Sequence, residues 1–463
     1  MGGLWSRDGR CTFIVKAGIK KSMNTVSNQA VIPNYNVIKI AIWLYFLLWI
    51  FEGALRKWIL PSLATPLLIV RDPIAVYIII KALNLNVKFL NPYVVLSAIF
   101  TLLGLVVTLT FGHGNLFVGL YGARIMMLHF PLIFIIGSVF SKEDVLKLGR
   151  ALLVVNFLVT LIVYFQFTSP QSAFINIGIG GEGSAGFSGA MGYFRPSGTF
   201  SFTSGLSIFY SAVSVFIFYF WLSKDPCSKI LLYASTITLV IALPLTISRG
   251  AVVSVLIVGL FAIMASVTSA KMMFKIIIVS VVLYFVILIL QQYSTLFNLS
   301  SKVFMHRVDA ANKSTSGGGL TDSILLRMLM DFMQPIVDLF NQPLFAGNLG
   351  MGTNAGAKML SGKVDFLISE SEFGRLAGEQ GIIFGGGLIF LRIFFSASIA
   401  IKSWNLPKEE KLLPFIICGA ACAAIAQGQW AQPSILGYGV SMTGLVMASL
   451  QKNETPSEKN IYD

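Results

Sequence analysis

Residues 365–395 read DFLISESEFGRLAGEQGIIFGGGLIFLRIFF. Glu370, Glu372, Arg375 and Glu379 fall within ten of these residues, and an apolar run follows them at once. About 20 apolar residues make a helix long enough to cross the roughly 30 Å hydrocarbon core of a bilayer. Runs of that kind recur along the chain. Of its 463 residues, 56% are hydrophobic and only 12% are charged, half of the roughly 25% typical of soluble domains. The mean hydropathy is +0.79. The expected fold class is therefore an all-α polytopic membrane protein.

Apolar runs place about twelve membrane helices, near 37–55, 64–83, 92–111, 121–140, 145–167, 204–222, 229–247, 250–268, 273–290, 379–402, 411–427 and 433–451. The predicted organisation is a cytoplasmic tail over 1–36, helices one to nine over 37–290, a large extracytoplasmic loop over 291–378, helices ten to twelve over 379–451, and a cytoplasmic tail over 452–463. Charge sets the orientation. With the N-terminus inside, the inner loops and their edges hold twelve basic residues: Lys81, Lys88, Lys142, Lys147, Arg150, Lys224, Lys229, Lys271, Lys275, Lys402, Lys408 and Lys411. The outer connections, apart from the long one, hold Arg56, Lys57, Arg124, Arg195 and Arg249. This fits the enrichment of Lys and Arg in cytoplasmic loops, which accounts for the net charge of +14. Nucleic acid is not an expected partner, because the basic residues form no patch interleaved with exposed aromatics.

Two outer segments break the pattern of tight connections. The first, 168–203, is rich in glycine. The second, 291–378, balances seven Lys/Arg against seven Asp/Glu, like the surface of a small folded domain. Within it, LTDSILLRMLMDFMQPIVDLF (320–340) has the apolar spacing of an amphipathic helix interrupted at Pro335. Connections this long are usually functional or disordered, and the apolar content argues against disorder. No internal repeat of the kind expected in a carrier is evident.

Outer arginines stand out because the charge rule disfavours them there. Arg249 follows the seventh predicted helix, Arg195 precedes the sixth and Arg124 lies near the start of the fourth. Each has a structural reading, snorkelling to water or lipid phosphate. Their shared face beside glycine-rich loops has a functional one, since the guanidinium fork binds phosphate oxygens in pairs. Arg71 and Asp72 lie inside a predicted span and must find partners in the bundle, most simply as a structural ion pair. Arg392, deep in the tenth helix, is expected to snorkel towards the cytoplasm. Ser369 and Glu372 match the S-x-x-E capping box, which starts a helix at Glu370. Glu372, Arg375 and Glu379 then make one salt-bridged stripe. Glu370 falls off that stripe. It is either an acid favoured by the helix dipole or a carboxylate general base.

Taken together, the helix count, the long outer loop before the tenth helix, the SRG at 248–250 and the acidic segment at 369–379 resemble the bacterial O-antigen ligase and polymerase superfamily, membrane glycosyltransferases of GT-C-like fold. FEGALRKWILPSLATPLLIVRDPI (51–74) and GLYGARIMMLHFPLIFI (119–135) look closer to its exopolysaccharide polymerase branch. The resemblance implies that Arg249 and Arg195 hold the diphosphate of an undecaprenyl-diphosphate-linked glycan, and Arg124, as an outer arginine on the same predicted face, is added to the diphosphate site by its position alone. It also implies a base at Glu370, where the ligases carry histidine, with Ser371 and Gly381 at the matching spacing; Glu372 and Arg375 are supporting residues by their place in the adjacent stripe. The implied reaction moves a glycan onto an acceptor glycan at the outer face of the bacterial cytoplasmic membrane, with inversion. A chain-length regulator or export proteins are implied as further partners. No D-x-D-type acidic pair is found on an outer loop, so neither a metal nor a cofactor is implied. The alternatives are a ligase or oligosaccharyltransferase with another acceptor and, in a different class, a polysaccharide flippase.

Overall fold

Every one of the twelve apolar segments contains a helix. They are seen in a computed structural model that describes residues 34–181, 186–267, 269–314, 333, 334, 337, 339–362, 367–369 and 371–451. In chain order these helices are α1 (Asn36–Ala54), α2 (Asp72–Asn84), α3 (Pro92–Phe111), α4 (Leu116–Val139), α5 (Lys142–Thr168), α6 (Thr203–Leu222), α7 (Lys229–Leu245), α8 (Arg249–Ser266) and α9 (Ala270–Tyr293). Then follow α10 (Thr295–Ser314), α11 (Asn354–Ser361), α12 (Glu372–Trp404), α13 (Lys408–Gln427) and α14 (Pro433–Ser449). A hairpin of β1 (Phe187–Ala190) and β2 (Tyr193–Arg195) lies in the glycine-rich connection between α5 and α6. Glu370, most of the predicted 320–340 amphipathic segment and the tails 1–33 and 452–463 lie outside the described residues.

Among the described residues, eight helices are long and apolar enough to cross a membrane: α1 with its continuation to Ile59, α3, α4, α5, α6, α8, α9 and α12. These eight support the polytopic expectation, and the count of twelve stands as an expectation. The clearest shortfall is the second segment, where Pro61 and Pro66 open two short 3₁₀ turns and leave α2 only 13 residues. At 1.5 Å per residue that is about 20 Å, short of a bilayer core.

Burial separates core helices from rim helices. The 18-residue apolar stretch of α6 is 83% buried, whereas that of α9 has no buried residue. Phe274, Ile277 and Val282 of α9 are each more than half exposed. A surface so extensively apolar suits lipid rather than water. Around the core, α13 packs on α12, α14 and α8, while α14 packs on α4. The α4–α14 contact is close because Gly137 meets Met447 and Gly444 meets Ile136, the small-residue packing common between membrane helices.

Two local features position the candidate site. At Gly53 on α1, an added Cβ would lie 2.3 Å from the backbone of Phe200 and Ser201, so the end of the glycine-rich connection rests on the α1 backbone. At Gly381, inside α12, φ is 77° and ψ is −172°, a conformation essentially restricted to glycine. There the chain turns back on itself. Glu372 and Arg392 would stand about 30 Å apart on a straight helix, yet their side chains form an ion pair. An added Cβ on Gly385 would meet the backbone of Leu376. Thus Glu372–Gln380 folds against the long helix that follows as a short re-entrant turn of helix. Residues 343–348 fill the bend, where the Pro343 and Leu344 carbonyls accept from the Ile382 and Ile383 amides and Asn348 N–H donates to the Glu379 carbonyl.

Candidate functional site

A cationic cluster forms where the hairpin meets the α7–α8 junction. Met191 and Gly192, both at positive φ, make the tight turn that favours a two-residue hairpin. That turn returns the chain so that Arg195 closes β2 opposite Phe187. Arg195 Nη2 donates to Ser248 Oγ at 3.4 Å. Ser248 caps α8 by accepting from the Ala251 amide and shares a 3.0 Å hydrogen bond with Ser207. Arg249 is the first residue of α8. From α10, Arg307 donates to the carbonyls of Ser188 and Gly189 at 2.6 and 3.0 Å. Burial, and then the positive charges of Arg307 and Arg249, push the Arg195 guanidinium down to about 10. Burial and Arg249 likewise lower Arg307. Burial is the larger cause of both shifts and the neighbouring guanidinium groups the smaller, and an anion with several oxygens relieves the second.

Three cavities run from this cluster towards the acidic segment. A cavity of about 210 Å³ is lined by Arg195, Lys57, Gln171, Asn176 and Ser197, among others. It shares Ile179 and Phe202 with a larger one of about 560 Å³, whose wall includes Arg56, Tyr121 and Lys358. The larger cavity shares Asn354, Ala431 and Gln432 with a small third one of about 20 Å³. Ser369, Ser371, Glu372 and Arg375 line that third cavity. The residues on either side of Glu370 therefore border a cavity system that begins at Arg195.

The acidic segment is a closed ion network. Arg375 Nε and Nη2 donate to the two Glu372 oxygens at 3.0 and 2.9 Å, and its Nη1 donates to Glu379 at 2.6 Å. The expected stripe is thus present, and it extends further than the spacing shows. Arg392 pairs with Glu372, donates to the carbonyls of Ile425 and Gly428, and lies 4.1 Å from the Trp430 ring centre. It does not snorkel, because the bend at Gly381 brings a carboxylate to it. Glu379 also accepts from the Gly352 amide at 2.9 Å. The cap is Ser371, which accepts from Gly374 at 3.1 Å, and not Ser369, whose hydroxyl instead accepts from the Ser371 amide. Helix α12 therefore starts at Glu372. With Glu372 and Glu379 both held by guanidinium groups, neither is available as a base.

Arg124 has a different set of partners from Arg195. It pairs with Asp72 at 2.8 Å and stacks 4.1 Å from the Tyr121 ring centre. Asp72 also contacts His129 Nε2 at 3.0 Å, and His129 Nδ1 contacts Tyr45 at 2.9 Å. Arg71 does not depend on its neighbour Asp72 but lies 3.3 Å from Glu52 on α1 and bonds the Pro433 carbonyl. The structure therefore brings Arg195 and Arg249 together and places Arg124 in a structural ion network. Arg307 and Lys57 were not singled out by sequence. Each is one basic residue among many until the fold closes.

Among the described residues, no group of three or more His, Cys, Asp or Glu side chains is arranged to hold a metal ion. No protein-family model matches this chain, and a search of curated proteins gives no significant match.

Proposed function

We propose that the chain is a membrane glycosyltransferase that polymerises undecaprenyl-diphosphate-linked oligosaccharide repeat units into a surface polysaccharide, at the outer face of the bacterial cytoplasmic membrane. The observation that carries this reading is that Arg195, with Arg249 and Arg307 near enough to act on its charge, lines a cavity system bordered at its far end by Ser369 and Ser371. The arginines hold the diphosphate of the donor. Glu370 takes the proton of the acceptor hydroxyl as its oxygen bonds to the anomeric carbon. The bond from that carbon to the phosphate oxygen breaks, and the lipid diphosphate leaves with the electron pair. Negative charge grows on the leaving diphosphate in the transition state, where preorganised guanidinium groups act most strongly. Attack from the opposite side in one step inverts the anomeric centre.

The charges buried in the bundle argue for an enzyme over a flippase. Arg71, Asp72 and Arg392 are each taken up in an ion pair. The test supplies purified protein with a lipid-diphosphate oligosaccharide and resolves the products on a gel. A ladder of lengthening glycan is expected, and Glu370→Gln and Arg249→Ala are expected to abolish it while leaving a monodisperse protein. Transfer of a single block to a separate acceptor identifies a ligase instead. A fully active Glu370→Gln variant would falsify the base assignment.

A further inference from the structure

Lys57 is a buried lysine with no carboxylate partner among the described residues. Its residue is 3% exposed. Nζ donates to Ser197 Oγ at 3.0 Å and to the Gly198 carbonyl at 2.6 Å, both neutral, and lies 4.7 Å from the Trp58 ring centre. Glu52, one turn earlier, is already shared by Arg56 at 3.6 Å and Arg71 at 3.3 Å. Among the described residues Lys57 makes no ion pair. An ammonium buried against neutral groups alone is costly, and an anionic ligand removes that cost. Lys57 also lines the 210 Å³ cavity together with Arg195, whose Nε is buried with no hydrogen-bond partner. Among the described residues lining this cavity there is no Asp or Glu, and its polar walls are otherwise amides and hydroxyls. Its volume equals about seven waters, room for two phosphate tetrahedra.

We propose that Lys57 and Arg195 together bind a phosphate group in this cavity, so that the donor diphosphate spans from Lys57 to the arginines beside Ser248. The identity of the ligand rests on the glycosyltransferase reading, whereas the anion site itself is measured without it. The probe is inorganic pyrophosphate, titrated calorimetrically into full-length protein in phosphatidylcholine nanodiscs. Wild type binds. Lys57→Gln, which keeps an N–H for the Gly198 carbonyl, binds about 10- to 100-fold more weakly, the effect of one charge-assisted hydrogen bond. Lys57→Arg retains the charge and most of the affinity.

Equal affinity in wild type and Lys57→Gln, or no binding to wild type, overturns the proposal. If Lys57→Gln fails to fold, Arg195→Gln and Lys57→Arg decide. Loss of binding in Arg195→Gln alone supports the site, and unchanged binding in Arg195→Gln overturns it. Replacing phosphatidylcholine with phosphatidylglycerol leaves the affinity unchanged, and competition there overturns the diphosphate assignment in favour of a lipid headgroup. Lys57-dependent pyrophosphate binding without glycan transfer keeps this site and removes the polymerase reading. Glycan transfer with Lys57-independent binding does the reverse.

Discussion

Replacing Gly381 with alanine distinguishes two readings of α12 by the sign of its effect. On a continuous membrane helix, Gly→Ala is worth roughly 1 kcal/mol of added stability. At a reversal it is destabilising, for three reasons. The φ of 77° and ψ of −172° cost a non-glycine residue about 1–3 kcal/mol. The new Cβ would lie 2.6 Å from the Pro343 carbonyl oxygen and 2.8 Å from Ala346 N, and such overpacking typically costs about 1–3 kcal/mol. Relieving that clash moves the 343–346 backbone and weakens the hydrogen bonds from Ile382 and Ile383 to Pro343 and Leu344, at 3.0 and 3.1 Å, each worth about 0.5–1.5 kcal/mol. Because one movement relieves part of each term, the net expectation is about 3–6 kcal/mol of destabilisation. The assay is the unfolding temperature of the purified variant in detergent, followed by size-exclusion chromatography of heated samples. An Ala variant at least as stable as wild type refutes the reversal and restores a straight helix.

Other perturbations separate architecture from ligand binding. Arg392→Leu leaves Glu372 with Arg375 as its one remaining ion-pair partner and is expected to cost about 3 kcal/mol, at the low end for breaking a buried pair, again read as a lower unfolding temperature. Arg124→Leu leaves the Asp72 carboxylate with His129 as its remaining partner, so it should also lower stability, by about 1–3 kcal/mol. Arg307→Gln is expected to raise the donor KM about tenfold with little change in unfolding temperature. The reverse assignment of these two effects would show that Arg124 belongs to the binding site. Gly53→Ala pushes a Cβ into the 199–201 backbone, costs about 1–3 kcal/mol and disturbs Ser197 and Gly198, the partners of Lys57. A raised KM beside a modest loss of stability is its expected signature in the transfer assay.

The helical segments were legible because apolar runs of membrane length leave few alternatives. What the runs concealed was local chemistry. Pro61 and Pro66 sit in a stretch apolar enough to read as a span, but 3₁₀ turns there shorten α2. The S-x-x-E match at Ser369 is genuine as a pattern, and Ser371, two residues on, takes the capping role. Gly381 lies in a run with Gly385, Gly386 and Gly387, and glycine is ordinary in membrane helices, so nothing marks it as a hinge. That one hidden reversal explains the misplacement of Arg392: twenty residues separate it from Glu372 in sequence, and only the bend makes them neighbours. The arginine site was legible in part. Arg195 and Arg249 stand next to glycine-rich and helix-end signals, whereas Arg307 and Lys57 join them through contacts with residues 118 and 140 positions away.

Sorting the basic residues at this end of the bundle by their counter-charges separates two roles that composition cannot. Arg56 and Arg71 share Glu52, Arg124 has Asp72, and Arg375 and Arg392 share Glu372, with Glu379 completing the network. Each of these cations has a carboxylate partner within the protein, although Arg56 and Arg71 share one, and removing a partner leaves a buried charge with its desolvation cost. They are architecture. Lys57, Arg195 and Arg307 make no ion pair with a carboxylate among the described residues, and the charged neighbours that act on Arg195 are both cations. Holding such groups together disfavours the empty state, and a bound diphosphate offsets that cost while gaining bidentate contacts. The uncompensated cations are therefore the ones that select the ligand. Adding an acid among them, for example Ser197→Asp beside Lys57, should stabilise the unliganded protein while weakening pyrophosphate binding. A variant that gained stability and kept its affinity would refute the division.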